Sequence, residues 1–425
     1  MFECWNSVRT AMKNLALATL LLLPISLFAD VLPRGSRDIW DLKALDEAPA
    51  TYPVTIPASN DYGRVKGVDP IFIEGEAYRG SPSRIFAWWG LPAGASPNKK
   101  VPAMVLVHGG GGTAFARWVK IWTDRGYAAI AMDTCGKIPQ GERDGKPHPA
   151  HPWSGPSGWG SSVGQIAEPL HDQWTYHAVA AVLRCHSFLR SRPEVDAERT
   201  GLTGISWGGY LTSIVMCVDD RFKFAAPVYG CGWYDLNPQW NHMNPDRAKY
   251  QAWLALWDPK NYFAGKKSAA PVLWCAGTND RWYPLDALHN SATALPAATP
   301  LLLSLKLKMP HGHPPAGDPK EITALADQIL KRGAVLPTIH SAEYSPSELT
   351  VSYNPNDLTI KQAQLLYTCS TNSLLMDREW KVAPVADFNP ARKTFSAPVP
   401  QDAVMFFANI VTDSNLVFST RIFTR

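Results

Sequence analysis

The chain has little net charge and few cysteines. Its formal net charge of +4 over 425 residues is small and dispersed, so the charge gives no argument for nucleic-acid binding. Its seven cysteines form no C-x-x-C pair, and a chain of this size does not need a disulfide framework. We expect most of them to be small buried side chains, although one disulfide bridge is compatible with an oxidising compartment.

The N-terminal apolar stretch is too short for a typical membrane span. Arg9 and Lys13 supply positive charge, residues 15–23 are apolar apart from Thr19, and a small residue, Ala29, ends the segment. A transmembrane helix needs about 20 apolar residues. We therefore favour a signal peptide over residues 1–29, rather than a membrane anchor, and expect a secreted or periplasmic protein.

What the chain does contain is organised around the sequence Gly204-Ile-Ser-Trp-Gly-Gly209. It follows a predicted strand at 200–205 and precedes a predicted helix at 210–217. A strand, a sharp turn and a helix form the context of a nucleophile elbow, in which the turn lifts the hydroxyl of Ser206 clear of the sheet. A side chain at position 204 or 208 would collide with the neighbouring strand or helix. Taken alone, the motif is better explained as a plain glycine-rich turn into a helix.

Continuous apolar runs on both sides of this motif predict a doubly wound, mostly parallel α/β sheet. The run at 101–107 is typical of a strand buried on both faces, and it is followed by a glycine-rich loop, a predicted helix and a second buried strand at 127–132. Strands and helices that alternate in this way are typical of α/β folds. Further strands are predicted at 71–73 and 84–91, as an antiparallel pair, and at 222–228, 271–276 and 301–307. We take 301–307 as the last strand of the sheet.

The segment 134–166 interrupts this alternation. It has no periodicity, and it leaves the C-terminal end of a strand, where open α/β sheets bind their ligands. We interpret it as a cleft wall or a lid. Its His148 and His151 have a spacing that could suit a metal, but we expect a solvated polar loop because no third ligand is evident.

A second interruption, at 230–267, is rich in aromatic residues. Its aromatic residues include Trp233, Tyr234, Trp240, Trp253 and Trp257. The cluster predicts a small packed cap or, because it adjoins the cleft, a platform for substrate. We take Trp233 and Tyr234 as candidate substrate-binding residues.

Three polar residues follow successive predicted strands in the order Ser206, Asp280, His311. A serine hydroxyl is a weak nucleophile, so a neutral histidine must take its proton and a carboxylate must hold that histidine in the right tautomer. We predict these three as nucleophile, acid and base. Asp235 is the alternative acid and His313 the alternative base.

Such chemistry also needs hydrogen-bond donors for a developing oxyanion. The backbone N–H of Trp207 is one candidate, and an N–H of Gly110 or Gly111 is the other, because glycine lets the backbone approach the oxygen closely. His108 precedes these glycines, and we expect it to position the loop rather than to take part in catalysis.

Residues from about 70 to 332 resemble the α/β-hydrolases of the acetyl xylan esterase-like and prolyl-oligopeptidase-like groups. The resemblance rests on His108-Gly-Gly-Gly-Gly112, Gly204-Ile-Ser-Trp-Gly-Gly-Tyr210, Gly277-Thr-Asn-Asp280 and Pro310-His-Gly-His313. It implies an α/β-hydrolase fold with Ser206, Asp280 and His311 as the catalytic triad. The peptidases of this group usually carry an N-terminal β-propeller, and the roughly 70 residues before the sheet show no blade repeats.

The last 90 residues or so differ in character. Short predicted strands alternate with turns, as in a small β-sandwich, and they resemble the immunoglobulin-like sandwiches appended to secreted hydrolases. We therefore divide the chain into a signal peptide (1–29), a catalytic domain (30–332) and a sandwich (333–425).

These features predict a secreted serine esterase that deacetylates a polysaccharide through an acyl-enzyme. It would use no metal and no cofactor, and would bind no nucleic acid and, once the signal is removed, no membrane. A serine peptidase or amidase with the same triad is one alternative. A non-catalytic glycan-binding protein on the same scaffold is another.

Overall fold

The computed structural model describes residues 35–59, 65–140, 148–159, 162–312, 319–372, 374–385 and 388–425. The predicted signal peptide and His313 lie outside these ranges. Within them, no helix combines the length and the apolar character needed to cross a bilayer. The six cysteines in the described ranges are free thiols, so the disulfide that the sequence allowed is not formed among them.

The centre of the molecule is a parallel sheet in the order β5-β4-β6-β7-β8-β9. Strands β4, β5, β7 and β8 are apolar and almost wholly buried because helices cover both faces. Antiparallel strands β1, β2 and β3 extend it beyond β5, as predicted for β2 and β3. The strands are β1 Thr51–Tyr52, β2 Asp69–Glu74, β3 Arg84–Gly90, β4 Val101–Val107, β5 Ala128–Met132, β6 Val195–Ile205, β7 Ala225–Val228, β8 Val272–Gly277 and β9 Leu301–Lys306.

The register of the parallel strands brings their carboxyl ends to one edge of the sheet. Val107 of β4 pairs with Gly204 of β6, and Ile205 pairs with Val228 of β7. At the other side of the sheet, Gly277 of β8 pairs with Lys306 of β9. The loops that follow these strands therefore meet at one edge, which is where the candidate site lies.

Helices cover the sheet, and the longest of them precedes the elbow. It begins at Trp174, because residues 170–172 form a 3-10 turn. The helices are α1 Leu42–Asp46, α2 Ala116–Asp124, α3 Trp174–Arg190, α4 Trp207–Val218, α5 Pro238–Met243, α6 Arg247–Trp257, α7 Leu285–Ala294 and α8 Lys320–Lys331. Helices α5 and α6 lie in the aromatic insertion.

The C-terminal region forms two antiparallel sheets, which confirms the predicted sandwich. One sheet has the order β10-β11-β14, and the other has the order β16-β15-β12-β13, with β17 also paired to β15. The strands are β10 Thr338–Ser345, β11 Glu348–Asn354, β12 Ile360–Thr368, β13 Lys381–Pro384, β14 Thr394–Pro398, β15 Met405–Thr412, β16 Val417–Ser419 and β17 Phe423–Thr424.

One of these two sheets continues the central sheet. Ser419 of β16 pairs antiparallel with Leu303 of β9, so the prediction that β9 is the last strand is wrong. Buried polar contacts reinforce the junction, because Asn409 donates to the Leu305 carbonyl and Glu321 accepts from the Val417 N–H. The domain boundary at residue 332 stays a prediction.

Candidate active site

Ser206 occupies the sharp turn between β6 and α4. Its φ of 57° and ψ of −116° are strained for a residue with a side chain, as expected of a nucleophile elbow. A Cβ atom on Gly204 would lie 2.3 Å from the Gly208 carbonyl oxygen, and one on Gly208 would lie 2.0 Å from the Val107 oxygen. The structure thus confirms that glycine is needed at both positions.

The structure brings Ser206, His311 and Asp280 into a continuous hydrogen-bonded chain. The Ser206 Oγ lies 2.8 Å from His311 Nε2, and His311 Nδ1 lies 2.6 Å from Asp280 Oδ2. An ionised carboxylate only accepts hydrogen bonds, so Nδ1–H donates to Asp280 and Nε2 accepts from the Ser206 hydroxyl. The His311 side chain is 18% exposed, whereas the Asp280 side chain is fully buried. The imidazole therefore meets solvent, and the carboxylate does not.

Neighbouring groups hold the acid and the imidazole in place. The second oxygen of Asp280 accepts from the N–H groups of Trp282 (2.7 Å) and Tyr283 (2.9 Å). The Tyr229 ring stacks on the His311 ring with centroids 4.5 Å apart, and its hydroxyl donates to the Pro310 carbonyl. These contacts fix the orientation of a histidine that follows the end of β9.

The alternative acid that the sequence left open has different surroundings. Asp235 pairs with Lys260 at 3.2 Å and is partly exposed, so the carboxylate that contacts His311 is that of Asp280. His313 lies outside the described residues.

The glycine-rich loop lies against the elbow. A Cβ atom on Gly109 would be 3.1 Å from the Cβ of Ser206, and one on Gly110 would be 2.6 Å from the Trp207 ring. His108 is buried, with Nε2 accepting from the Thr134 N–H and Nδ1 2.9 Å from the Gly109 carbonyl. Since Nε2 accepts, Nδ1 carries the proton, and the imidazole ties the loop to the strand end after β5.

The predicted oxyanion donors belong to the residue that follows Ser206 and to the glycine-rich loop that lies against the elbow. Trp207 is the first residue of α4, so its N–H has no acceptor within the helix. Gly110 and Gly111 are exposed, and Gly111 has a φ of 69°, which favours glycine. The positive end of the α4 dipole adds to the same electrostatic field.

The aromatic insertion is packed, and it lines a small, partly open cavity that includes Trp207. The cavity has a volume of about 30 Å³, and its lining includes Trp207, Tyr234, Trp240 and Trp253. Tyr234 thus faces the cavity, whereas the Trp233 ring stacks on Phe263 and is not part of the lining. The roles of both residues in substrate binding stay predictions.

The segment 134–166 supplies part of the same wall, because Trp159 and Ser162 also line the cavity. His151 in this segment is only 5% exposed and packs on the Phe72 ring, so the expectation of a solvated loop is wrong for this residue. Burial lowers its pKa. The described ranges hold no group of three side chains suited to a metal.

Three residues at the site were missed in the sequence. Tyr229 and Tyr283 both place their rings nearly parallel to His311, and Asn279 donates to the carbonyl groups of Leu375, Met376 and Arg378 in the C-terminal region. Of the three, only Tyr283 could have been suspected from the sequence, because it lies three residues after Asp280. Nothing distinguished it from the other aromatic residues of a chain with 14 tyrosines and 17 tryptophans.

Two family models match the chain, and each covers less than half of it. The prolyl oligopeptidase family matches residues 164–330, and the acetyl xylan esterase family matches residues 69–232. Both matches include Ser206. Only the first extends to Asp280 and His311.

Curated relatives are distant and much longer. A probable dipeptidyl-peptidase 5 from Aspergillus clavatus is 23% identical over 196 residues, which is 44% of this chain and 24% of that protein. The dipeptidyl-peptidase 5 of Arthroderma otae is 25% identical over 172 residues, 39% of this chain and 21% of that protein. The chain thus matches less than a quarter of the length of either relative.

Two solved structures share the fold over most of the chain. An acetyl xylan esterase from a Paenibacillus species has a TM-score of 0.52 at 21% identity and covers 72% of this chain and 100% of its own. Acetyl xylan esterase 1 from a Thermoanaerobacterium species has a TM-score of 0.50 at 19% identity, and the match covers 73% of this chain and 98% of that protein. At these identities the likeness shows the fold, which is that of the α/β-hydrolases, as predicted.

Proposed function

We propose that this chain, a hydrolase with the α/β-hydrolase fold, is an exported serine esterase that removes acetyl groups from a polysaccharide. The observation that carries the proposal is the hydrogen-bonded chain from Ser206 through His311 to Asp280, set on a strained elbow. The match to the acetyl xylan esterase family supports an ester substrate.

In the proposed mechanism, Ser206 Oγ attacks the ester carbonyl carbon while its proton passes to His311 Nε2. The N–H of Trp207, with that of Gly110 or Gly111, holds the oxyanion. Each such donor lowers the barrier by about 2.7–4 kcal/mol. The sugar alcohol leaves with the proton from His311, and an acyl-enzyme remains on Ser206. His311 then deprotonates a water molecule, which releases the acid and restores the serine. Asp280 holds Nδ1–H throughout.

The size of the aromatic cavity favours a small acyl group. Its volume of about 30 Å³ is far below the roughly 150 Å³ of a cavity that accepts benzene. An acetyl group is compatible with that volume. The lining of the cavity includes Trp207, the residue that follows Ser206 in the chain.

A serine peptidase or amidase is the second candidate. It is favoured by the match of residues 164–330 to the prolyl oligopeptidase family and by the dipeptidyl-peptidase relatives. The same triad would serve either reaction, so the substrate must be tested directly.

The test is acetate release from acetylated xylan and hydrolysis of p-nitrophenyl acetate, compared with hydrolysis of aminoacyl p-nitroanilides. We expect ester turnover in the wild type and a loss by a factor of about 10⁴ to 10⁶ in Ser206→Ala. Ser213→Ala is the matched control, because this buried hydroxyl lies farther along α4 and donates to the Gly230 carbonyl. Faster turnover of the anilides than of matched esters would replace the esterase with a peptidase.

A further inference from the structure

Asn279 connects the loop that carries Asp280 to the C-terminal sandwich. Its amide nitrogen lies 2.7 Å from the Arg378 carbonyl oxygen, 3.1 Å from that of Met376 and 3.2 Å from that of Leu375. Because three acceptors face one amide group, its nitrogen must point to them and its oxygen away from them. The three carbonyl groups belong to one turn of the sandwich. The residue directly before the candidate acid is therefore anchored in the C-terminal region.

The other end of the same amide leads to the loop that carries His311. The Asn279 oxygen accepts from the Thr278 hydroxyl at 2.9 Å, and the oxygen of that hydroxyl accepts from the Lys308 N–H at 3.0 Å. Lys308 lies between the end of β9 and His311. One chain of hydrogen bonds thus runs from the sandwich, through Asn279 and Thr278, to the loop of the candidate base.

The sandwich also holds the strand from which the His311 loop emerges. Within β9, Leu305 donates its N–H to the Ser419 hydroxyl at 2.8 Å, and its carbonyl accepts from the Asn409 amide at 3.0 Å. Both hydrogen bonds are buried, so water competes little for their groups. The segments that carry Asp280 and His311 are therefore both fixed by the same C-terminal region.

We propose that the C-terminal sandwich is part of the catalytic unit, and that Asn279 is the positioning residue through which the sandwich holds Asp280 against His311. This inference rests on the proposed function, because it assumes that the triad carries out turnover. The hydrogen bond from His311 to Asp280 sets the tautomer and the orientation of the imidazole, so it depends on where the loop holds the carboxylate. A displacement of about 1 Å in a reacting group can cost about 100-fold in rate.

Asn279→Ala removes the anchor and leaves the side chains of the triad unchanged. We expect kcat for p-nitrophenyl acetate to fall about 10- to 100-fold while KM is unchanged, because a displaced carboxylate weakens the base and not the binding of the ester. Titration of Ser206 with an organophosphonate counts the active sites, so unfolded protein does not enter kcat. A purely structural role would lower the number of active sites and leave kcat per site unchanged, and that outcome overturns the inference.

A double-mutant cycle with Asp280→Asn shows whether Asn279 acts through the acid. Asp280→Asn alone should lower kcat by a factor of about 10⁴. If Asn279 acts by placing that carboxylate, addition of Asn279→Ala should cause no further loss. Losses that multiply overturn the inference, because Asn279 would then affect turnover by another route.

Asn279→Asp tests the contact with the sandwich itself. It keeps the size of the side chain but sets a carboxylate against three carbonyl oxygens, whereas Asn279→Ala leaves those oxygens free to bind water. Because like partial charges repel, the loss of kcat in Asn279→Asp should be at least as large as in Asn279→Ala. A smaller loss contradicts the role given to the sandwich.

Two further variants guard the interpretation. Asn261→Ala is the matched control, because the Asn261 amide also donates to two carbonyl groups, those of Leu254 and Ala255, but is not joined to the acid. It should leave kcat unchanged, and a loss equal to that of Asn279→Ala overturns the inference. Should Asn279→Ala not fold, Thr278→Val interrupts the same chain of hydrogen bonds with a side chain of the same shape. Its kcat should fall with KM unchanged, and an unchanged kcat overturns the inference.

Failure of the inference is distinguishable from failure of the proposed function. If Ser206→Ala is inactive and Asn279→Ala has the kcat of the wild type, only the inference fails. If Ser206→Ala retains turnover, the proposed function fails and the inference falls with it.

Discussion

The molecule contains a second trio of side chains that copies the hydrogen bonds of the first. The open trio is Ser206, His311 and Asp280. The buried trio is Thr200, His186 and Asp219, in which Thr200 Oγ1 lies 2.9 Å from His186 Nε2 and His186 Nδ1 lies 2.7 Å from Asp219 Oδ2. The corresponding distances in the open trio are 2.8 and 2.6 Å. Distances alone do not tell the two apart.

The two trios differ in the surroundings of the hydroxyl, the carboxylate and the imidazole. The hydroxyl of the open trio sits on a strained turn at the N-terminal end of α4, beside backbone N–H groups. The carboxylate of the buried trio sits at the C-terminal end of the same helix and is held by a guanidinium, since Arg221 donates to both of its oxygens.

The imidazoles of the two trios differ in exposure. His186 is 0% exposed and stacks on Phe222 with centroids 3.7 Å apart, so no substrate can reach it. Nucleophilic chemistry therefore needs access for a carbonyl group and donors for its oxyanion, in addition to three aligned side chains.

Removal of each histidine in turn should show that only the open trio takes part in turnover. His311→Ala should lower kcat for p-nitrophenyl acetate by a factor of about 10⁴ to 10⁶, because the serine loses its base. His186→Gln should leave kcat unchanged at neutral pH and lower the free energy of unfolding instead. Steady-state kinetics and urea unfolding of both variants provide the measurement. A comparable loss of kcat in His186→Gln would show that the buried trio takes part in turnover.

Removal of the two carboxylates should affect different properties of the protein. Asp219→Asn removes the buried carboxylate that contacts both His186 and Arg221 and leaves Arg221 paired with Asp46 alone, so it should lower the free energy of unfolding by about 3–5 kcal/mol while kcat is unchanged. Asp280→Asn should instead lower kcat by a factor of about 10⁴, because His311 loses the partner that sets its tautomer. Unfolding of Asp219→Asn at the same urea concentration as the wild type would contradict the expected loss of stability.

The sequence predicted the open trio and could not predict the buried one. Ser206, Asp280 and His311 each follow a buried strand, and the ends of parallel strands meet at one edge of the sheet, so their proximity follows from topology. Thr200 lies inside a strand and His186 lies on a helix whose side chains are nearly all buried, so neither position differs locally from an ordinary core residue. Their contact arises only from packing.

The same reasoning explains the other outcomes. The strand at 101–107 was predicted to the residue because a run buried on both faces leaves a continuous apolar pattern. The pairing of Ser419 with Leu303 was missed, because which edge a distant strand joins depends on how the sandwich packs. The orientation of Trp233 and Tyr234 was equally hidden, since two adjacent aromatic residues give no sign of which one faces a cavity.

The smallest expected effect is a pH dependence that belongs to the buried histidine. Burial lowers the pKa of His186 from 6.5 to about 4, so the folded state keeps it neutral while the unfolded state protonates it between these values. The unfolded state then binds more protons, and stability falls as the pH falls through this window. The full change is about 3 kcal/mol.

Urea unfolding from pH 7.5 to pH 4.5 measures this dependence, and the difference between the wild type and His186→Gln isolates it from His151 and His177, whose pKa values burial also lowers. The wild type should lose its stability advantage over the variant toward the acid end. If the free energy of unfolding changed with pH in the same way for both proteins, His186 would be protonated in the folded state as well. Asp219 would then balance its charge in spite of burial. The buried trio would then resemble the charged intermediate of the open one.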